Sequence, residues 1–215
     1  VEAGQTVPFV LSYGRSYRKI PNAIDPRRAL IETERAWLEW SKGFECCGEY
    51  SDAVLRSLIT LKALTYRATG GIVAAPTTSL PEEPGGVRNW DYRFCWLRDA
   101  TFTLLALLNS GFWREAEEWH RWLQRAVAGS PDQMQIVYGI AGERRLLESE
   151  IGWLPGFEGS RPVRTGNAAF SQLQLDVYGE VADAFFQGTV AGLDSNLEAW
   201  ALHRTLVEHL SKIWD

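Results

Sequence analysis

The chain of 215 residues is 46% hydrophobic and carries 22 basic against 27 acidic side chains, a formal charge of −5. That balance allows one or two domains with a sizeable core and excludes the basic surface that nucleic acid requires. No run of about 18 apolar residues is present to span a bilayer, and the first residues lack the basic-then-apolar order of a signal peptide.

In chain order, Val7-Pro8-Phe9-Val10-Leu11 is a short β-like run before the turn-prone Ser12-Tyr13-Gly14, so residues 1–24 are read as a strand remnant and linker. From Asp25 the pattern becomes helical, because Asp25-Pro26 offers an N-cap followed by proline at the first helical position. The first helix is expected to run to about Lys42, with later helices at about 49–67, 99–110, 113–128, 167–187 and 195–214. The last of these opens on Ser195-Asn196-Leu197-Glu198, a capping box. Cys46, Cys47 and Cys95 form neither an even disulfide framework nor a metal spacing, which predicts a reducing, cytoplasmic setting. His120, His203 and His209 fall on outer helix faces without an acidic or thiol cluster, so no metal and no cofactor is expected.

Connection lengths carry the architectural argument. Ser110 to Phe112 and Gly188 to Asp194 are short, whereas Thr69 to Arg98 and Gly129 to Gly166 are long and rich in Gly, Pro, Arg and aromatics. Each long loop feeds a strongly apolar helix, such as Asp99 to Leu108, and the intervening helix Trp113 to Ala128 sets one charged face against Ala116, Trp119, Leu123 and Ala126. Inner and outer helices therefore alternate. The expected fold is all-α, part of an (α/α)6 barrel of helical hairpins, with the long loops converging on one mouth.

The richest segment is Asn89-Trp90-Asp91-Tyr92-Arg93-Phe94-Cys95-Trp96-Leu97-Arg98-Asp99. Aromatic faces pack on the C–H surfaces of a pyranose, while Arg and Asp donate to and accept from its hydroxyls. Asp99 also stands where an N-cap is expected, and capping alone would account for an aspartate there. The second long loop supplies Gly142-Glu143-Arg144-Arg145 and the stretch from Trp153 to Asn167.

Asn89 to Ala100, Gly142 to Arg145, Gly159 to Ala169 and Gln172-Leu-Gln-Leu-Asp-Val-Tyr-Gly-Glu180 together resemble the bacterial branch of glycoside hydrolase family 15, the glucoamylase and trehalase-type enzymes. The resemblance runs along essentially the whole chain, with Val7 to Gly14 similar to the tail of the family's N-terminal β-sandwich and 25–215 to the first half of its catalytic barrel. It implies that Tyr92 and Trp96 wall the pocket for the non-reducing glucose and that Arg98 and Asp99 bind its hydroxyls. Glu143 and Arg161 join them as implied substrate-binding residues, Arg161 in a loop lining the neighbouring subsites. A tryptophan typical of fungal members is replaced around Gly159, which leaves its stacking role to Trp153 or Phe157.

The family's chemistry uses two carboxylic acids, one protonating the leaving oxygen and one activating water, set about 6.5–9.5 Å apart for inversion. By resemblance neither catalytic glutamate has a counterpart here. The acid is implied a few residues past Asp215 and the base far downstream. A start at Val1 and a helical pattern still running at Asp215 likewise predict a piece of a larger protein. The expectation is thus a fragment of an inverting, exo-acting α-glucosidic hydrolase acting on trehalose or an α-1,4-glucan, inactive alone, and self-associating or pairing with a complementary C-terminal half. A carbohydrate-binding or interaction module without catalysis and an unrelated α/α-barrel lyase or epimerase are the alternatives.

Overall fold

The computed structural model describes residues 1–14, 16–45, 48–193 and 197–213. Its contacts divide the chain into two units, Val1–Phe44 and Glu45–Asp215. The first holds α1 (Pro26–Ser41), capped as the sequence predicts by Asp25, whose carboxylate accepts from the Arg27 and Arg28 amides at 3.0 and 3.3 Å. Val7–Leu11 corrects the expected strand: among the described residues it joins no ladder. A lone β-like run has no partner for its backbone groups, and β-propensity without pairing does not make a strand.

The second unit holds α2 (Ser51–Ala63), α3 (Leu97–Leu108), α4 (Trp113–Val127), α5 (Asp176–Val190) and α6 (Leu197–Ile213). Two antiparallel ribbons join the loops: β1 (Cys95–Trp96) with β2 (Val137–Tyr138), and β3 (Ser149–Glu150) with β4 (Arg164–Thr165). The fold is all-α, part of an α/α barrel. No helix among the described residues is long and apolar enough to cross a membrane.

α3 packs against both α4 and α5, and α5 in turn against α6. Leu97, Ala100, Leu104 and Leu107 of α3 are buried together with Val181, Ala184 and Phe185 of α5, so these two are the inner helices. Phe102, on the same inner helix, remains 62% exposed, so the all-round apolar pattern of α3 is not matched by burial on every side.

α4 shows the alternation read from its sequence. Ala116, Trp119, Leu123 and Ala126 are buried, and the outer face carries the i,i+4 pairs Arg114–Glu118 and Arg121–Glu117 at 3.0 and 2.6 Å. Glu115 departs from that wet face. It is buried and pairs with Lys62 of α2 at 2.8 Å, which ties α2 to the outer helix. His120 is also buried, edge-on to Phe185 with ring centroids 5.4 Å apart. Gly188 on α5 makes room for it, since a Cβ there would meet His120 Nε2 at 2.7 Å.

Helix starts differ from expectation where loop contacts replace local caps. α3 begins at Leu97 rather than Asp99, because Trp96 is already extended in β1 and the Leu97 amide donates to Ile136 O at 3.1 Å. Asp99 is therefore a first-turn residue and not the N-cap. The helix expected over 167–187 starts only at Asp176. Asn167 instead caps a single 3₁₀ turn, accepting from Ala169 N at 3.0 Å while donating to Asp91 O at 3.0 Å. The Cys46-Cys47 pair and the Ser195 capping position lie outside the described residues.

Candidate functional site

The two long loops are stitched to each other. Thr78 Oγ1 donates to Arg164 O at 2.6 Å, Gly85 N to Ser160 Oγ at 2.8 Å, and the Arg164 amide to Ser79 Oγ at 2.7 Å. Arg164 continues the stitching with its side chain. Its guanidinium lies over the Trp90 ring, 4.7 Å from the centroid, and donates to the Val87 and Asn89 carbonyls at 3.2 and 3.4 Å. Glu148 and Glu150 neutralise it at 3.2 and 3.5 Å, the first off the hydrogen-bond line.

Asp91 is the buried centre of this clamp. Its Oδ1 accepts from Arg93 N and Nε at 3.2 and 2.9 Å, and its Oδ2 from Arg93 Nη2 at 2.8 Å and Gly166 N at 3.1 Å. Gly166 takes φ +80° with Leu147 O directly beneath, a position closed to any side chain. The rich segment from Asn89 to Asp99 thus divides in two. Asn89, Asp91 and Arg93 hold the loops, and at the start of α3 Tyr92 and Trp96 are partly exposed while Arg98 and Asp99 are exposed.

Tyr92 and Trp96 lie with ring centroids 5.8 Å apart and planes inclined by 51°, an angled aromatic wall. Burial, followed by the charge of Glu82, raises the Tyr92 hydroxyl above the ordinary phenol range, so it stays a neutral donor. Arg98 stands between two carboxylates: Nη2 is 3.9 Å from Asp99 Oδ2, and Nη1 is 3.7 Å from Asp176 Oδ2. Trp96, Arg98, Asp176 and Glu180 border a cavity of about 10 Å³, the volume of a single water. On the other side of α3, Asp99 opens onto a cleft of about 270 Å³ shared with Ala74, Ala100 and Phe102.

Glu143 and Arg161 stand apart from that group. The Glu143 carboxylate folds back on its own turn and accepts from Ala141 N at 2.9 Å. Arg161 Nε reaches Pro155 O at 3.4 Å. Among the described residues neither shares a hydrogen bond or ion pair with Tyr92, Trp96, Arg98 or Asp99. The residues that sequence reasoning left unassigned are Asp176 and Glu180, brought to Arg98 by the first turn and a half of α5. The signal was present in their i,i+4 spacing, which puts both on one helix face.

Burial raises the Glu180 carboxyl above its ordinary value, with the charge of Asp176 as second cause and Arg98 opposing. A raised carboxyl favours folding below its unfolded pKa, and that contribution is lost as pH climbs through the folded one. Glu180→Gln is therefore expected to melt like the wild type near pH 4 and above it at pH 7, as followed by thermal unfolding in matched buffers. An equal offset at both pH values would show that Glu180 ionises freely.

Cys95 is buried, and its thiol is pushed up to about 12 by burial, with the charge of Glu143 adding to it. It is held as an un-ionised packing group. Among the described residues no three His, Cys, Asp or Glu side chains are gathered to hold a metal ion.

Residues 48–215 match the family model for glycosyl hydrolases family 15. A trehalase of Mycolicibacterium smegmatis is 39% identical over 85% of this chain and 28% of that protein. A trehalase of Mycobacterium tuberculosis is 37% identical over the same shares, and one of Thermoplasma acidophilum is 36% identical over 94% of this chain and 34% of that protein. The chain spans about a third or less of the length of these relatives. Two solved glycosidase chains share the fold with a TM-score of 0.51 and 19% identity, over 76% of this chain and 41% of each of them. With its paired long loops, inner helices and matching family model, the chain belongs to glycosyl hydrolases family 15.

Proposed function

We propose that this chain supplies the glucose-recognition part of an inverting, exo-acting α-glucosidic hydrolase, with trehalose as the substrate and a short α-glucan as the second choice. One observation carries the reading: the relatives that match most of the chain are named trehalases. Trp96 and Tyr92 present apolar faces, and Arg98 and Asp99 present a donor and an acceptor for neighbouring hydroxyls.

The reaction needs a proton donor on the glycosidic oxygen and a base that activates water on the opposite face of the sugar. Glu180 beside Arg98 is one carboxyl raised by burial, and the other acids nearby are committed elsewhere, so no acid–base pair is assembled here. Asp91 is saturated with donors inside the loop clamp, and Asp99 and Asp176 both face Arg98. The catalytic acid–base pair is accordingly assigned outside these 215 residues, and the chain by itself is a recognition part without turnover.

The test is hydrolysis of trehalose, maltose and maltotriose by the 215-residue chain and by the full-length protein. The expected outcome is no glucose from the chain alone and release from trehalose by the full-length protein. Inversion at one of two α-linked glucoses yields one β- and one α-glucose, which proton NMR resolves at early times. Glucose release by a contaminant-free preparation of the chain alone would overturn the assignment of the acids. Absence of release from every α-glucoside by the full-length protein would overturn the hydrolase reading.

A further inference from the structure

We propose that Asp176 is a positioning residue of the glucose subsite, holding the Arg98 guanidinium at the sugar-facing end of α3; this rests on the recognition role given to Arg98 above.

α3 and α5 are packed side by side, and each opens with an acid in its first turn, Asp99 and Asp176. Arg98 lies between them with one Nη toward each carboxylate, at 3.9 and 3.7 Å. These separations give charge attraction without a closed hydrogen bond. The guanidinium is therefore drawn toward the gap between the two carboxylates while its N–H groups stay open for hydroxyl oxygens. A pair at 2.8 Å would instead have consumed two of them.

Only one of the two carboxylates can be a pure support. Asp99 borders the cleft beside α3 and is itself assigned to a sugar hydroxyl, so it is read as a direct ligand. Asp176 belongs to the next inner helix and borders the water-sized cavity on the far side of Arg98, together with Trp96 and Glu180. Its ion-pair partner among the described residues is Arg98, at 3.7 Å. That is the geometry of a support.

The physical effect is pre-organisation. An arginine loses rotamer freedom when a ligand fixes it, and a carboxylate that has already narrowed its positions reduces that loss. Both side chains are about half exposed, 51% for Arg98 and 52% for Asp176, so the pair adds little to folding stability. Substrate affinity and thermal stability should accordingly separate.

The experiment uses the full-length protein with Asp176→Asn, Arg98→Ala and the double variant, assayed on trehalose. Asp176→Asn keeps the shape and removes the charge. It is expected to raise KM by roughly three- to tenfold, leave kcat within about twofold and leave Tm unchanged. In the Arg98→Ala background the same change is expected to have no further effect, because nothing remains to be positioned. Unchanged KM, or an equal penalty with and without Arg98, would overturn the proposal. Crystal structures of the wild type and Asp176→Asn give a readout independent of turnover: the guanidinium is expected to leave its place in the variant, and an unmoved Arg98 would overturn the proposal whatever the kinetics. A displaced Arg98 in a protein that cleaves no α-glucoside would support the positioning and place the failure in the hydrolase reading.

Discussion

Asp91→Ala is expected to lower the unfolding free energy by about 3–5 kcal/mol, from two backbone amides left without an acceptor at about 1–3 kcal/mol each, with little added by the half-exposed Arg93 guanidinium. The carboxylate is fully buried and accepts from both Arg93 and the Gly166 amide, so truncation leaves that amide and the Arg93 backbone N–H without an acceptor in the loop clamp. For a chain of this size the change corresponds to a fall in Tm of roughly 6–20 °C. Asp91→Asn, which keeps one acceptor oxygen, is expected to cost about 1.5–3 kcal/mol, the range for a charged hydrogen bond. Urea and thermal unfolding measure both. A loss below about 1 kcal/mol for the alanine variant would mean that the loops are held together by something other than this carboxylate.

The second large effect concerns activity. Asp99→Asn in the full-length protein is expected to reduce kcat/KM for trehalose about ten- to hundredfold, the loss of one charged hydrogen bond to substrate. Stability should hardly move. Asp99 is the third residue of α3, caps no amide, and has Arg98 as its only ion-pair partner among the described residues, so its folding role reduces to the helix dipole, worth about 0.3–1 kcal/mol. Steady-state kinetics beside a melting curve separate the two roles. Unchanged kinetics would remove Asp99 from the sugar site, and a large drop in Tm with proportionate loss of activity would make it a structural residue.

The helices were legible because periodicity and breakers are local properties. Asp25-Pro26 announces α1, Ser110 to Phe112 separates α3 from α4, and the buried stripe of α4 recurs at three- and four-residue spacing. What remained hidden depends on partners far away in the chain. Glu115 reads as one more surface acid until Lys62 arrives on α2 to pair with it. Asp91 has no assigned role in the sequence, and its fourth hydrogen bond comes from Gly166 on the other loop. Asp99 reads as a cap because the β1–β2 ribbon, which starts α3 two residues early, joins residues about forty apart. Asp176 was placed inside a helix when it is the first residue of one, because Asn167 spends its side chain on the other loop.

The loop clamp also bears on the order in which the molecule is made. Thr78, Gly85 and Asp91 are joined to Arg164, Ser160 and Gly166 across 75 to 86 residues of chain, so each link closes a very long loop. Closure over such distances is entropically costly and comes late, after the local hairpins have formed and brought the strands of the mouth near each other. The α3–α4 turn, by contrast, needs only the Ser110 to Phe112 connection. The mouth is therefore expected to be the last part of this unit to assemble. By the same reasoning its amides are the first to exchange with solvent when the native state opens, while those of α3 and α4 stay protected.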